Sequence, residues 1–426
     1  MKRNFLLLIF CFFVLFSFAQ KDKYILLKPD RVFDGEIMHT DWVVLIKNDI
    51  ISAAGAMNFK LPEGTVIIEL KNTTVLPGLI EGHSHLFLHP YNETSWDDQV
   101  IKESRAERTV RAVKHAEATL LAGFTTVRDL GTEGAMYDDA GLKKAIEKGI
   151  ISGPRMIIAT RAIVAKGTYG PKSLNADIEL PVGAEEVTGM ESIADAVRTQ
   201  IGKGADLIKI YADYRYGINA EAVPTFTLTE LSSIVALTAT SNRKVVAHAS
   251  TPEGMRTAIM AGVSTIEHGD NGTEEIFQLM RKKGVALCPT LAAGDAILQY
   301  RGWKKYGSNG QSAEPEPPGI INKKKTFRLA LEAGVIIVMG GDVGVFAHGE
   351  NAREMELMVD YGMKPLDVLR SATSINADVF GYSDKIGRIR SELFADIIAV
   401  EGDPTQNISD IRKFKLIMKG GKIIKQ

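Results

Sequence analysis

The sequence predicts an α/β protein: a TIM (β/α)8 barrel with a small composite β-sandwich domain formed from both chain ends. Three observations favour this fold class. Short apolar segments alternate with amphipathic stretches through the middle of the chain, and both ends carry only short strand-like segments. Polar residues also follow the ends of several central apolar segments, as at the mouth of a barrel. The predicted divisions are 20–76 and 386–426 for the two parts of the sandwich and 77–385 for the barrel.

Composition is that of an ordinary globular protein with enough chain for a large core. Of 426 residues, 45% are hydrophobic and 24% are charged, which excludes disordered and collagen-like classes. Lys and Arg together number 51 and Asp and Glu 52, for a formal charge of −1. Because there is no basic excess, we expect a small-molecule substrate and no nucleic acid.

The first 19 residues are expected to leave the mature protein. Lys2 and Arg3 precede an apolar run, Phe5–Phe16, and small residues stand at Ser17 and Ala19. This pattern predicts a secretory signal peptide cut after Ala19, and therefore a secreted or periplasmic protein. The apolar run is short for a bilayer, so we expect no stable membrane span after cleavage. An uncleaved anchor is the alternative.

Both chain ends consist of short strand-like segments, a pattern typical of small antiparallel sheets. Asn48-Asp49 and Gly420-Gly421 are predicted hairpin turns. We expect the two ends to pair into one sheet domain. The predicted strands are Tyr24–Leu27, Trp42–Ile46, Ile50–Ala53, Thr65–Glu69, Ala395–Val400, Leu416–Met418 and Lys422–Lys425.

The middle of the chain alternates strands with helices such as Arg105–Leu121, Met190–Lys203 and Thr229–Ser241. A doubly wound open sheet would alternate in the same way, but the count of eight strands favours a barrel. Loops 166–188 and 304–319 are either lids over the catalytic face or variable decoration. The predicted strands are Val75–Ile80, Thr125–Arg128, Met156–Ala159, Leu207–Tyr211, Val245–His248, Thr265–Glu267, Ala286–Pro289 and Val335–Met339.

Four histidines and one aspartate stand at the carboxyl ends of predicted strands. His83 and His85 are spaced i, i+2, so on a strand both imidazoles share one face. His248, His268 and Asp342 follow three later strands. Since these ends converge on one mouth of a barrel, we expect a nitrogen and oxygen site suited to zinc or another divalent ion.

Lys209 lies inside a predicted apolar strand, where an amine is costly unless it is paired or chemically changed. Desolvation lowers the pKa of a lysine and can make it nucleophilic. It could then take up carbon dioxide and become an anionic carbamate that bridges two metals. Pairing with Asp206 or Asp213 is an equally weighted alternative.

Five motifs together resemble the metal-dependent amidohydrolase superfamily over essentially the whole mature chain. All of these motifs except the first resemble one branch of the superfamily, which holds the Xaa-Pro dipeptidase-like (prolidase-like) enzymes, near imidazolonepropionase. The motifs are Val75–His85, Val127–Gly131, Ile208–Tyr211, Ile266–Gly269 and the run Gly341–Gly349, with Ala395–Val400 resembling the returning strand of the family's sandwich.

The resemblance implies a binuclear centre with zinc as the expected metal. His83, His85 and Asp342 would hold the first ion, His248 and His268 the second, and carboxylated Lys209 would bridge both. The family usually has aspartate where Glu81 stands and threonine where Gly341 stands. Neither position is a ligand in the family pattern.

Further polar residues are predicted around the expected ligands. Tyr211 shares the inward face with Lys209, and His348 lies in the glycine-rich segment after Asp342; both are candidate substrate-binding residues. Glu81 is expected to support a ligand by hydrogen bonding. Glu267 is expected to point out of the barrel and to support a helix.

The predicted function is an exported metal-dependent hydrolase of an amide or peptide-like C–N bond, acting by a metal-bridged hydroxide, with Xaa-Pro-type dipeptides as candidate substrates. Asp342 is expected to move the proton from water to the leaving nitrogen. The alternatives are a mononuclear cyclic-amide hydrolase or deaminase and a non-catalytic secreted binding protein. A homo-oligomer is allowed by the sequence without being required.

Overall fold

The structure, a computed structural model, describes residues 22–171, 175, 177–217, 220–305 and 314–426. The predicted signal peptide, residues 1–19, lies outside the described residues, as do parts of both predicted loops. Among the described helices, none combines the length and the apolar character needed to cross a bilayer.

The strands that the structure describes run from both chain ends through the centre. In chain order they are β1 (Tyr24–Phe33), β2 (Met38–His39), β3 (Trp42–Lys47), β4 (Ile50–Ala56), β5 (Val66–Pro77), β6 (Leu79–Ser84), β7 (Phe124–Asp129), β8 (Arg155–Ile158), β9 (Ile163–Ala165), β10 (Glu185–Val187), β11 (Ile208–Tyr211), β12 (Asp213–Arg215), β13 (Ala222–Pro224), β14 (Val245–Ala249), β15 (Thr265–His268), β16 (Ala286–Cys288), β17 (Ile397–Glu401), β18 (Phe414–Lys419) and β19 (Lys422–Lys425).

The helices lie mainly between the central strands. They are α1 (Trp96–Lys102), α2 (Arg105–Leu121), α3 (Asp138–Glu147), α4 (Gly189–Lys203), α5 (Leu228–Ala239), α6 (Pro252–Ala261), α7 (Glu274–Lys283), α8 (Leu291–Tyr300), α9 (Pro318–Glu332), α10 (Ala352–Asp360), α11 (Pro365–Arg370) and α12 (Asn376–Phe380).

One sheet joins the two chain ends. Its order is β19-β18-β17-β5-β1-β3-β4, with β2 attached to β1, and β17 pairs antiparallel with β5. The two predicted hairpin turns touch: a Cβ on Gly421 would lie 1.7 Å from the Asn48 carbonyl oxygen, so only glycine fits there. Leu27, Val44 and Ala399 are fully buried and belong to the core of this sheet.

The central strands form two parallel sheets, and α helices follow most of their strands. One sheet has the order β6-β7-β8 and the other β10-β9-β11-β14-β15-β16. Helices α4, α6 and α7 end at glycines in the left-handed conformation, Gly204, Gly262 and Gly284, where a β-carbon would be strained.

The segment predicted as the eighth strand, Val335–Met339, is not a regular strand. It makes an isolated parallel bridge between Ile337 and Leu287 of β16. On its other side the Gly82 N–H donates to the Met339 carbonyl at 3.0 Å. Between β8 and β11, the Asp206 N–H donates to the Ile158 carbonyl at 2.8 Å. Backbone hydrogen bonds therefore connect the two parallel sheets at two places, between β8 and the segment before β11 and, through the segment 335–339, between β6 and β16.

Candidate active site

The predicted ligand residues meet at the carboxyl ends of the parallel strands. The ring centroids of His83 and His85 lie 5.3 Å apart, and those of His83 and His268 lie 5.1 Å apart. His248 extends the group, with its ring centroid 4.5 Å from that of His268. We call these four side chains the histidine cluster.

Asp342 lies against two rings of the histidine cluster. Its Oδ1 is 3.5 Å from His83 Nε2 and 3.4 Å from His85 Nε2. Ligand atoms of His83, His268 and Asp342 all lie within 4.8 Å of one another. The side chain of Asp342 is 14% exposed whereas that of His83 is 0% exposed, so the carboxylate is the more accessible of the two.

The ring of His83 is oriented by a buried ion pair. Its Nδ1 lies 2.8 Å from Glu267 Oε2, and Arg128 Nη2 donates to Glu267 Oε1 at 2.9 Å. This bond leaves Nε2 directed at the cluster, the arrangement common to metal-binding histidines. The prediction that Glu267 points outward is wrong, because this side chain is fully buried and contacts His83.

Backbone geometry explains why Glu267 and His268 can both face inward. Neighbouring residues on a strand alternate between faces, which is why outward Glu267 was expected. His268, however, has φ +74°, in the left-handed region, where β15 ends. That conformation turns its side chain out of the alternation, and its Nδ1 lies 2.8 Å from Thr290 Oγ1. Such strain in a non-glycine residue is typical of functional sites.

The backbone of Asp342 is also in the left-handed region, with φ +62°. Glu81 holds the segment that carries Asp342 through hydrogen bonds to backbone N–H groups. Glu81 Oε1 accepts the N–H of Gly341 at 2.8 Å and that of His83 at 3.0 Å. Asn351 Nδ2 donates to Glu81 Oε2 at 2.9 Å. Glu81 thus joins β6 to the segment carrying Asp342, consistent with the supporting role expected of it.

His85 and His248 are held by different contacts. His85 Nδ1 lies 2.9 Å from the Gly131 carbonyl oxygen, to which it donates, so Nε2 remains directed at Asp342. Tyr211 and His248 are paired across β11 and β14, and their rings stack at 4.5 Å. Tyr211 therefore lies at the edge of the histidine cluster, where it was expected.

Lys209 is fully buried in β11, and its Nζ has no hydrogen-bond partner among the described residues. Neither Asp206 nor Asp213 pairs with it: Asp206 accepts from Lys143, and Asp213 accepts from Ser250 and Thr251. Burial lowers the pKa of the Lys209 amine, which favours its neutral, nucleophilic form.

Most of the candidate ligands are in the protonation state that binds a cation. Burial lowers the pKa of His83 to about 4 and that of His248 to about 3, so both rings are neutral at pH 7. Burial opposes ionisation of Asp342, but His83 and His85 outweigh it and hold its pKa below the usual range. Metal ligands must be neutral imidazoles and carboxylates, as these three are.

His85 differs from the other rings. Burial lowers its pKa, but the hydrogen bond to Asp342 and the charge of Glu133 outweigh burial and raise the pKa to about 9. A proton on His85 therefore competes with a metal for its Nε2.

His348 makes its bonded contacts elsewhere. Its Nε2 lies 3.0 Å from the Leu88 carbonyl oxygen, and its ring stacks on His115 at 4.3 Å. These contacts tie it to the segment after β6 rather than to Asp342 or the rings of the cluster. Its proposed role in substrate binding remains a prediction without a supporting contact.

Loop 166–188 contributes Tyr169, whose ring lies 4.8 Å from that of Tyr211. The sequence analysis missed this residue, and it also missed Arg128 and Glu133. Arg128 offered a signal, since a charged side chain within an apolar strand requires a buried partner. Tyr169 and Glu133 offered none, because their position depends on loop conformation.

The donor set fits divalent metal ions. Two buried nitrogens, His83 Nε2 and Lys209 Nζ, have no hydrogen-bond partner in the described part of the chain. Leaving such atoms unpaired costs free energy that a cation on the imidazole and a carbamate on the amine would remove. Imidazole nitrogens with one carboxylate are ligands that suit zinc and related ions.

Comparisons with known proteins place the chain in a family. A sequence model of the amidohydrolase family matches residues 74–425. Ochratoxinase from Aspergillus niger is 29% identical over 382 residues, which cover 82% of this chain and 75% of that protein.

Solved structures show the same fold. An Xaa-Pro dipeptidase with methionine bound in its active site superposes with a TM-score of 0.82 at 30% identity, covering 95% of this chain and 100% of the other. A prolidase complexed with N-methylphosphonate-L-proline gives a TM-score of 0.81 at 25% identity, with coverages of 95% and 100%. The chain belongs to the amidohydrolase family, in its prolidase-like branch.

Proposed function

We propose that the protein is an exported binuclear metallohydrolase that cleaves the amide bond of Xaa-Pro-type dipeptides. The observation that carries the proposal is the convergence of the histidine cluster and Asp342. The buried Lys209 amine lies 5.4 Å from the Tyr211 ring at the edge of the cluster and has no hydrogen-bond partner among the described residues. The prolidase and the Xaa-Pro dipeptidase among the similar structures support the substrate class.

The proposal includes a closed barrel. Strands β6, β7, β8, β11, β14, β15 and β16 would form its wall with the irregular segment 335–343. The hydrogen bonds from Asp206 to Ile158 and from Gly82 to Met339 support closure at the two gaps. A closed ring explains why side chains from four strands and the segment 335–343 share one site.

Two zinc ions fit the donor set best. His83, His85 and Asp342 would hold one ion, His248 and His268 the other, and a Lys209 carbamate would contact both. When bound, such ions supply Lewis acidity that lowers the pKa of water towards 7 and polarises a carbonyl group.

The chain itself contributes proton transfer and orientation. Asp342 is ionised and partly exposed, so it can accept the proton of the attacking water and deliver it to the leaving nitrogen. Water adds to the carbonyl carbon, the C–N bond breaks, and the products are an acid and an amine. The Arg128–Glu267 pair keeps His83 oriented while this occurs.

A second candidate substrate class is an amide that is not an Xaa-Pro dipeptide. The ochratoxinase relative, at 29% identity, is the observation that favours it. Both candidates require hydrolysis of an amide bond, so they differ in the substrate and not in the reaction.

The test is turnover by the purified mature protein against a library of dipeptides, N-acyl amino acids and cyclic amides. We expect hydrolysis of Xaa-Pro dipeptides that is lost after chelation and restored by zinc. Turnover that resists chelation, or the absence of hydrolysis across the library after zinc loading, would contradict the proposal.

A further inference from the structure

Glu133 is a buried carboxylate beside the histidine cluster that the proposed metal centre does not use. It lies in the turn between β7 and α3, is 2% exposed, and has φ +49°. Its backbone carbonyl accepts a bond from Arg108 Nη1 at 2.6 Å. A charged side chain this deeply buried normally has a partner for each of its oxygens.

Only one oxygen of Glu133 accepts hydrogen bonds from the described residues. Oε2 accepts from Trp96 Nε1 at 3.0 Å and from the Tyr169 hydroxyl at 2.6 Å. Oε1 has no hydrogen-bond partner and lies 3.8 Å from His85 Nδ1, whose bond goes to Gly131. Two donors therefore fix the carboxylate while its second oxygen, next to a candidate metal ligand, lacks a donor.

The nearest guanidinium does not supply that donor. The hydrogen bonds of Arg108 go to the backbone carbonyls of Phe87, Thr132 and Glu133. Among the described residues no other donor reaches Oε1, so a bound molecule can supply it.

Aromatic rings extend from Glu133 across to the histidine cluster. The rings of Trp96 and Tyr169 lie 5.1 Å apart in an edge-to-face arrangement, and Tyr169 and Tyr211 lie 4.8 Å apart. Tyr211 in turn stacks on His248. Aromatic faces and a carboxylate both attract a cationic nitrogen.

We propose that Glu133 binds the protonated α-amino group of the substrate, with Trp96, Tyr169 and Tyr211 forming the wall of that subsite. The inference rests on the proposed function and deepens it: the substrate is a dipeptide with a free amine rather than an N-acylated amino acid. Because Oε1 lies beside His85, a charge on the carbon next to the reacting carbonyl is within reach. A lysine side-chain ammonium lies several bonds further away.

The kinetic test compares Ala-Pro, N-acetyl-Ala-Pro and N-acetyl-Lys-Pro. We expect the wild type to favour Ala-Pro over N-acetyl-Ala-Pro by about 10- to 100-fold in kcat/KM, the worth of one charge-assisted hydrogen bond. Glu133→Gln should remove this preference by slowing Ala-Pro alone, with unchanged metal content. Tyr169→Phe, which removes one donor to Oε2 but keeps the charge, should retain the preference.

Three results would overturn the inference. Glu133→Gln could slow both alanyl substrates equally, Tyr169→Phe could reproduce its effect, or N-acetyl-Lys-Pro could match Ala-Pro. The first two results would show that Glu133 has only a structural role. The third would show that the subsite binds a side-chain ammonium instead of the α-amino group.

A binding measurement keeps the inference separate from the proposed function. Calorimetric titration of Asp342→Asn, with and without Glu133→Gln, measures affinity without turnover. We expect Ala-Pro to bind about tenfold or more tightly than N-acetyl-Ala-Pro, and only when Glu133 is present. If the wild type hydrolyses none of these substrates, the proposed function fails, whereas equal binding or no binding of Ala-Pro overturns the role of Glu133.

Discussion

Replacement of Lys209 by methionine should have opposite effects on stability with and without metal. The amine is fully buried, and no residue in the described part of the chain is hydrogen-bonded to it, a situation that costs about 1–3 kcal/mol. In chelator-treated protein, Lys209→Met removes that cost and should raise the free energy of unfolding by about this amount. Methionine has a similar length and leaves no large cavity.

In zinc-loaded protein the wild type should instead have the larger free energy of unfolding. A ligand at 1,000 times its dissociation constant stabilises the folded state by about 4 kcal/mol. Without a bridging carbamate, Lys209→Met should retain fewer ions per chain and gain less of this stabilisation. We expect kcat/KM to fall by more than about 100-fold, the upper range for losses of outer-sphere partners.

The assays are denaturant unfolding with and without chelator, elemental analysis of metal per chain, and turnover. Lys244→Met is the matched control, since Lys244 precedes β14 at the opposite end of the strands and donates to the Val379 carbonyl at 2.6 Å. It should leave metal content unchanged. If Lys209→Met binds as much zinc as the wild type and remains as active, the reasoning about Lys209 is refuted.

Three further predictions concern the proton carrier, the support of His83 and a distant lysine. Asp342→Asn should retain metal but lose about 10²- to 10⁴-fold in kcat, and equal activity would remove Asp342 from the proton path. Glu267→Gln should weaken zinc affinity about 10- to 100-fold. It should also destabilise the fold, because Arg128 then lacks its carboxylate partner. A zinc titration that gives wild-type affinity would contradict this prediction. Burial lowers the pKa of Lys419 to about 8, so between pH 8 and its unfolded value near 10.5 the unfolded chain binds the extra proton. The stability of the wild type relative to Lys419→Met should therefore rise by about 1–3 kcal/mol from pH 7 to pH 10.5, whereas a difference that does not change with pH would show that the amine titrates normally.

The sequence was sufficient to locate the candidate ligands that gather at the site. His83 and His85 could be assigned to one face because strand alternation is a local property. His248 and Asp342 could be assigned because the ends of parallel strands meet at one edge. The helix Arg105–Leu121 also has the predicted bounds.

Features that depend on tertiary structure were not accessible in the same way. The left-handed conformation of His268 allows Glu267 to face inward, and no local pattern indicates that conformation. The irregular pairing of Val335–Met339 reflects its close approach to β6, where a Cβ on Gly340 would lie 2.7 Å from the His83 nitrogen. The Glu133–Tyr169 contact joins two loops, so it cannot be read from either segment alone.

Anomalous diffraction from crystals grown with zinc tests the central claim most directly. The account predicts two zinc peaks per chain, one among His83, His85 and Asp342 and one beside His248 and His268, with density for a carbamate on Lys209 between them. A single peak with an unmodified Lys209 amine would contradict the binuclear centre and favour a mononuclear hydrolase. The absence of any peak at these side chains would contradict the metal-dependent reaction itself.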